Sequence, residues 1–220
     1  MGPTAGEERV RFGGRATPQG FLFELSGGAA CLDFANTADE RPTESPQERL
    51  VTYAELLSWG EQSGLLTAEQ RRALDREARR HPRLAEVALA RAVQLREALF
   101  RIFSAVANGR AVAAGDLATL NASLGQALAH CRLAWSGARA EWAWSDEEPA
   151  LDRPLWPVVA SAAELLSSAD LERVRECASP ACAWLFLDHS KNRSRRWCDM
   201  SVCGNRDKVR RHRQRQSSPA

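Results

Sequence analysis

Histidine is scarce and scattered. Four occur in 220 residues, and His81, His130 and His212 stand apart from any catalytic grouping. Residues 1–170 contain no nucleophile–base pair, no phosphate-cradling glycine loop and no His/carboxylate metal cluster, so an enzyme is not expected. Long apolar runs are missing too. No stretch approaches the ~20 uninterrupted apolar residues that a membrane span requires. The start, Met1-Gly2-Pro3-Thr4-Ala5-Gly6-Glu7-Glu8, lacks the apolar h-region of a secretory signal. Gly6 stands where a myristoylation signal usually carries Ser or Thr. A cytoplasmic protein is the expectation, and its six cysteines then read first as metal ligands or buried thiols.

What is present is ordinary in amount and uneven in placement. The chain is 44% hydrophobic and 26% charged, values of a globular protein rather than a disordered one. Its 30 basic and 28 acidic side chains give a formal charge of +2, a total that by itself indicates no partner. Residues 191–215, however, carry ten cations (Lys191, Arg193, Arg195, Arg196, Arg206, Lys208, Arg210, Arg211, Arg213 and Arg215) against Asp199 and Asp207. That segment is +8, which leaves −6 for the rest of the chain. An acidic body with a basic tail points to a polyanionic partner.

Residues 1–20 have no apolar period and read as a loose leader. Phe21 to Leu25 is a short strand candidate, Ala29 to Thr37 is apolar enough to be buried, and Asp39 to Pro46 reads as a loop. Helices follow. One runs from Thr52 to Gln62, and Thr67-Ala68-Glu69-Gln70 forms a capping box that opens another, ending near Arg79. The longest is expected from Pro82 to Asn108, with Leu84, Val87, Arg91, Leu95, Leu99, Ile102 and Val106 along one stripe. A further stripe joins Leu117, Leu120, Leu124, Leu128 and Cys131. Alternation around Trp142 and Trp144, with a turn at Ser136-Gly137, predicts a β-hairpin over Leu133 to Trp144. Asp152-Arg153-Pro154 opens a last helix that Ser167-Ser168 ends.

Past a boundary near Leu171 about 50 residues remain, a length at which a metal, disulfides or oligomerisation commonly supplements the core. Four of the six cysteines fall there, as Cys177-x4-Cys182 and Cys198-x4-Cys203 separated by fifteen residues. Four thiolates suit one structural zinc ion, tetrahedral and closed to water. Two disulfides or four unrelated buried thiols are the alternatives. The fifteen-residue spacer is expected to fold back as a hairpin, with Ala183 to Asp188 as its strand and His189 on its surface. Cys31 and Cys131 read as small core residues.

The cations flank this constellation. Arg193, Arg195, Arg196 and Arg206 are expected to grip phosphates near the metal site, and Lys208, Arg210, Arg211 and Arg213 extend the footprint along a helix. Val209 is the one large apolar residue there, so a membrane-surface helix is excluded. Trp184, Phe186 and Trp197 read as the apolar filling of the module, with base stacking as the alternative.

Cys177 to Arg215, with Phe186, Asp188, Ser190, Asn192-Arg193-Ser194-Arg195-Arg196-Trp197-Cys198, Met200 and Cys203-Gly204-Asn205-Arg206, closely resembles the CGNR zinc-finger module. The earlier part resembles the ABATE domain: Leu32-Asp33-Phe34-Ala35-Asn36-Thr37 is similar to its early signature and Leu95-Arg96-Glu97-Ala98-Leu99 to its central helix. The resemblance implies that Cys177, Cys182, Cys198 and Cys203 hold zinc in a bacterial transcription regulator that binds DNA. The expected fold is mainly α with short β-hairpins. A leader covers residues 1–20, a helical ABATE-like domain 21–170, a zinc finger built as a hairpin followed by a basic helix 171–216, and a tail 217–220. Asp33, Asn36 and Thr37 are expected to cap a helix, with the lining of a small-molecule pocket as the alternative. RNA in place of DNA, or a ligand- or protein-interaction protein with a purely structural zinc finger, are the rival functions. A homodimer and a small-molecule effector are compatible with the sequence.

Overall fold

A computed structural model of the chain describes residues 14–18, 20–145 and 149–217, without the side chains of residues 211, 212 and 214–217. The described residues are mainly helical and carry four two-stranded antiparallel hairpins. The first pairs β1 (Gly14–Thr17) with β2 (Gly20–Phe23), so the last residues of the expected leader form a strand. Helix α1 (Ala30–Ala35) follows, then the minimal pair β3 (Ala38–Asp39) and β4 (Gln47–Glu48).

Helix α2 (Tyr53–Gln62) and helix α3 (Ala68–Arg80) both open on capping boxes. At α3 the Gln70 amide N–H donates to the Thr67 hydroxyl (3.2 Å) and the Thr67 N–H donates to Gln70 Oε1 (2.9 Å). Two orphan donors of the first turn are thereby satisfied. Helix α4 (Pro82–Ala107) starts at its proline, as the fixed φ of that ring favours. Helix α5 (Ala114–Leu128), the hairpin of β5 (Cys131–Ser136) and β6 (Arg139–Trp144), and helix α6 (Trp156–Ser167) complete the helical part. Strands β7 (Val174–Glu176) and β8 (Leu185–Leu187) form the last hairpin, and helix α7 (Asn205–Ser217) ends the fold.

The stripe expected on α4 is displaced by one residue over its first half. Leu84 and Val87 are exposed, while Ala85, Ala88 and Ala92 line the core and merge with Leu95, Leu99 and Ile102. Both sets satisfy a spacing of three and four, and α4 turns its small residues toward the core. Alanine admits close helix approach; leucine there would hold the helices apart. Leu117 and Leu128 of α5 are likewise exposed.

Helix α1 is the hub. Cys31, Leu32, Phe34 and Ala35 are buried, and the helix packs on α4, α6 and β8. Strand β8 is buried on both faces. Leu185 and Leu187 join the large helical core together with Val174. Trp184 and Phe186 point the other way, into a second small core with four cysteines. The period-2 alternation of a strand thus lets β8 serve two cores at once.

Candidate metal centre and its basic flank

The first cysteine pair sits in the loop between β7 and β8. The Cys177 N–H donates to the Trp184 carbonyl (2.8 Å) and the Cys182 N–H to the Ser179 carbonyl (3.1 Å), which curls the loop so that both sulfurs face one point. Ala183 follows in the left-handed region at φ 61°. The partner of β8 is therefore β7, upstream of Cys177. This corrects the expectation that the fifteen-residue spacer makes the hairpin, because the hairpin encloses the first cysteine pair and the spacer continues beyond it as a loop. The second pair brackets a turn. Asp199 Oδ1 accepts the Val202 N–H (2.8 Å) and the Ser201 hydroxyl (2.5 Å). A π-helical turn over Met200–Gly204 then brings Cys203 back and leads directly into α7.

All six cysteines are free thiols, so neither disulfide is present. The Sγ atoms of Cys177, Cys182, Cys198 and Cys203 lie within 4.8 Å of one another, and all four residues are buried. Cys198 Sγ is 3.6 Å from both Cys182 Sγ and Cys203 Sγ. Sulfurs at the corners of a zinc tetrahedron with ~2.3 Å bonds stand about 3.8 Å apart. The spacing fits. Hydrogen bonds from Cys182, Cys198 and Cys203 hold the Cys177 thiol far below its usual range. Those given to Cys177 push Cys182 and Cys198 up. Four thiols this close cannot all ionise without a cation among them. The donor set is soft, closed and free of carboxylate and imidazole, and one structural zinc is its cofactor.

Between the cysteine pairs a loop turns around Asp188. Its carboxylate accepts the backbone N–H groups of Ser190 and Arg195, each at 2.9 Å. Arg193 lies in the left-handed region at φ 48° and reaches Glu172 at 3.3 Å. Arg196 is exposed and stacks on Trp197, 5.3 Å from the ring centroid. Arg195 behaves differently. It covers Phe186 at 4.6 Å, donates to the Trp197 carbonyl at 2.8 Å, and donates closely to the Cys198 carbonyl. Its guanidinium braces the metal centre from within. On α7, Arg206, Lys208, Arg210 and Arg213 are exposed. Arg210 pairs with the buried Asp207 at 2.7 Å, while the Arg211 side chain lies outside the described residues. The structure thus brings Arg193 and Arg196 together on the loop and strings Arg206, Lys208, Arg210 and Arg213 along the helix. Trp184 and Phe186 are buried and unavailable for stacking.

The residues that tie this centre to the helical part have their basis in the early signature. Asn36 forms a closed pair with the backbone of β8: its Nδ2 donates to the Leu185 carbonyl (2.8 Å) and its Oδ1 accepts the Leu185 N–H (2.9 Å). Asp39 accepts the Trp184 indole N–H at 3.0 Å and pairs with Arg49 at 2.6 Å. Asp33 accepts the Gly27 N–H (2.7 Å), and the Gly27 carbonyl accepts the Leu187 N–H (2.8 Å). The helix end itself is closed by Asn36, the C-cap residue, whose backbone N–H donates to the Leu32 carbonyl (3.0 Å), and by Thr37, whose hydroxyl donates to the Phe34 carbonyl at 2.8 Å. The capping expectation thus holds for the Asn36 backbone and for Thr37, while the side chains of Asp33 and Asn36 anchor loop and strand backbone. The signal was a run of polar residues inside an otherwise apolar segment, but the partner of Asn36 is 149 positions away.

The central helix carries a second tie. Arg96, buried, makes a two-pronged pair with Glu48 (2.5 and 2.7 Å) and also donates to Glu97. Glu97 in turn receives Arg41 at 2.7 and 3.0 Å. The network fastens the segment from Glu40 to Glu48 onto α4, and β4 at the end of that segment pairs Gln47 with Asp39.

A helical body carrying a hairpin-borne, four-thiol zinc centre defines a zinc-finger protein. Residues 28–169 match the ABATE family model, described as "putative stress-induced transcription regulator", and residues 173–216 match that of the CGNR zinc finger. The chain belongs to the ABATE family and ends in a CGNR zinc finger. No curated protein matches it. Among the described residues no helix is long and apolar enough to cross a membrane.

Proposed function

We propose that Cys177, Cys182, Cys198 and Cys203 ligate the zinc, and that the module they hold binds duplex DNA as the output end of a transcription regulator. On this reading residues 21–170 form a sensor or assembly domain and residues 171–216 the binding module. One observation carries it. The exposed cations sit on two segments, the loop before Cys198 and the helix after Cys203, that the cysteines themselves anchor. Zinc, once bound, supplies four bonds that fix these segments relative to each other. Arg193, Arg196, Arg206, Lys208, Arg210 and Arg213 then meet phosphates, and Arg211 extends the same helix. Arg195 orients the loop through the Cys198 and Trp197 carbonyls and Phe186, so it positions the contacts instead of making one. An all-thiol site has no open position for water, which favours a non-enzymatic role. Reduced thiols favour a reducing compartment such as the cytoplasm.

The test is a salt titration of binding to duplex DNA, with single strands and structured RNA as competitors. Six phosphate contacts give a log–log slope of about −5. A slope near zero, or affinity unchanged after chelation of the metal, would sink the reading. Stronger competition by RNA would redirect it to an RNA target.

A further inference from the structure

The hairpin of β5 and β6 turns an apolar face to solvent. Antiparallel pairing sets Leu133 opposite Trp142 and Trp135 opposite Ala140. Strand alternation puts these four on one face with Cys131 and Trp144. Trp144 roots the face in the body of the protein, its ring centroid 6.0 Å from that of Trp156. Beyond that root Leu133, Trp135 and Trp142 are 62%, 77% and 74% exposed. Among the described residues the sheet holds two strands only. Two indoles and a leucine thus stand exposed together on one face of a two-stranded ribbon.

We infer that this face is a homodimer interface, closed by the same face of a second copy. Charge selects the occupant. Arg132, Arg139 and Glu141 fall on the opposite face of the hairpin, where Arg139 and Glu141 pair at 2.9 Å. The tryptophan face itself carries no charge. Nucleic acid stacking on these rings would need cations beside them to follow its phosphates, whereas a second copy presents an equally uncharged surface. Shape agrees. Trp135 rises beside Ala140 across the ladder, so each face offers one projection and one shallow step. A two-fold axis can seat the indole of one copy over Ala140 of the other, the self-complementarity that a closed pair requires.

Area agrees too. A tryptophan buries about 150–250 Å². The exposed parts of Trp135, Trp142 and Leu133 then amount to roughly 330–500 Å² per copy. Two copies bury about 660–1,000 Å² when these side chains are covered, and with the flanking backbone this is the size of a small, reversible dimer interface. The inference stands on the hairpin alone and is independent of the nucleic-acid reading.

Sedimentation equilibrium of the full zinc-loaded chain across the micromolar range tests it. The expected result is a monomer–dimer equilibrium, with tryptophan emission moving to the blue as dimer forms. Trp135→Ala and Trp142→Ala each weaken association about 30-fold, as central aromatic anchors do. The double variant stays monomeric with unchanged far-UV circular dichroism and zinc content. Ala140→Arg, which keeps both rings but brings like charges together at the axis, also gives monomer. Leu84→Ala, an exposed apolar site elsewhere, leaves association unchanged. A wild-type chain that is monomeric throughout overturns the inference, as does a dimer that survives the double variant. So does a monomeric wild type whose affinity for nucleic acid falls when the two tryptophans are removed.

Discussion

Replacing Asn36 with alanine isolates the joint between the two cores. The side chain is buried and exchanges two hydrogen bonds with the Leu185 backbone, at 2.8 and 2.9 Å. Strand β8 has its other neighbour, β7, on one edge only, and Asn36 satisfies the opposite edge at Leu185. Truncation leaves a buried N–H and a buried C=O without partners. Each orphaned group costs about 1–3 kcal/mol, so the expected loss is about 2–6 kcal/mol. For a chain of this size 1 kcal/mol corresponds to about 2–4 °C in Tm, so a loss of about 3 kcal/mol lowers the midpoint by about 6–12 °C. Thermal and urea unfolding of the zinc-loaded protein, read by circular dichroism and by tryptophan emission, measure it. The two probes should move together, because Trp184 and the helical core share β8. A variant as stable as wild type would refute the reasoning. So would an emission transition that separates from the helical one, since the two cores would then not be joined through β8.

Other outcomes follow from the same geometry. Burial pushes the Asp33 carboxyl up to about 6 despite the Gly27 N–H it accepts. Its protonated form is therefore favoured in the fold, and stability is lost as pH rises from about 4 through 6, on the order of 3 kcal/mol. Asp33→Asn keeps an acceptor for Gly27 and should be the more stable protein at pH 7 but not at pH 4; a difference that does not vary with pH counts against this account. Arg195→Ala should lower stability and loosen metal retention, whereas Arg196→Ala should leave both unchanged and weaken DNA binding by one phosphate contact, about 0.9 in the salt slope. Equal effects of the two in a chelator-challenge assay would contradict the inward role of Arg195. A Cβ on Gly27 would come within 2.9 Å of the Asp33 backbone nitrogen, so Gly27→Ala should destabilise by about 1–3 kcal/mol in urea titrations.

Local signals in the chain were read correctly where the physics is local. The capping box at Thr67 to Gln70, the proline opening α4, and the alternation that becomes β5 and β6 each depend on neighbours within a few residues. The x4 spacing of both cysteine pairs likewise anticipates two short loops that can aim their sulfurs at one point. Where two local solutions had equal merit, reading failed. On α4 the Leu84–Val87–Arg91 line and the Ala85–Ala88–Ala92 line have the same period, and only the packing of the assembled core selects the alanines.

The sequence by itself determined the helical bulk, the four-thiol centre and the polarised charge, because helix period, donor chemistry and net charge are properties of composition and short spacing. Tertiary structure alone decided that β8 pairs backward with β7, that Asn36 and Asp39 reach across the chain to hold it, and that Arg195 faces inward while Arg196 faces solvent. Each of those outcomes depends on which backbone groups are left unpaired after distant segments meet. No window of neighbouring residues contains that information.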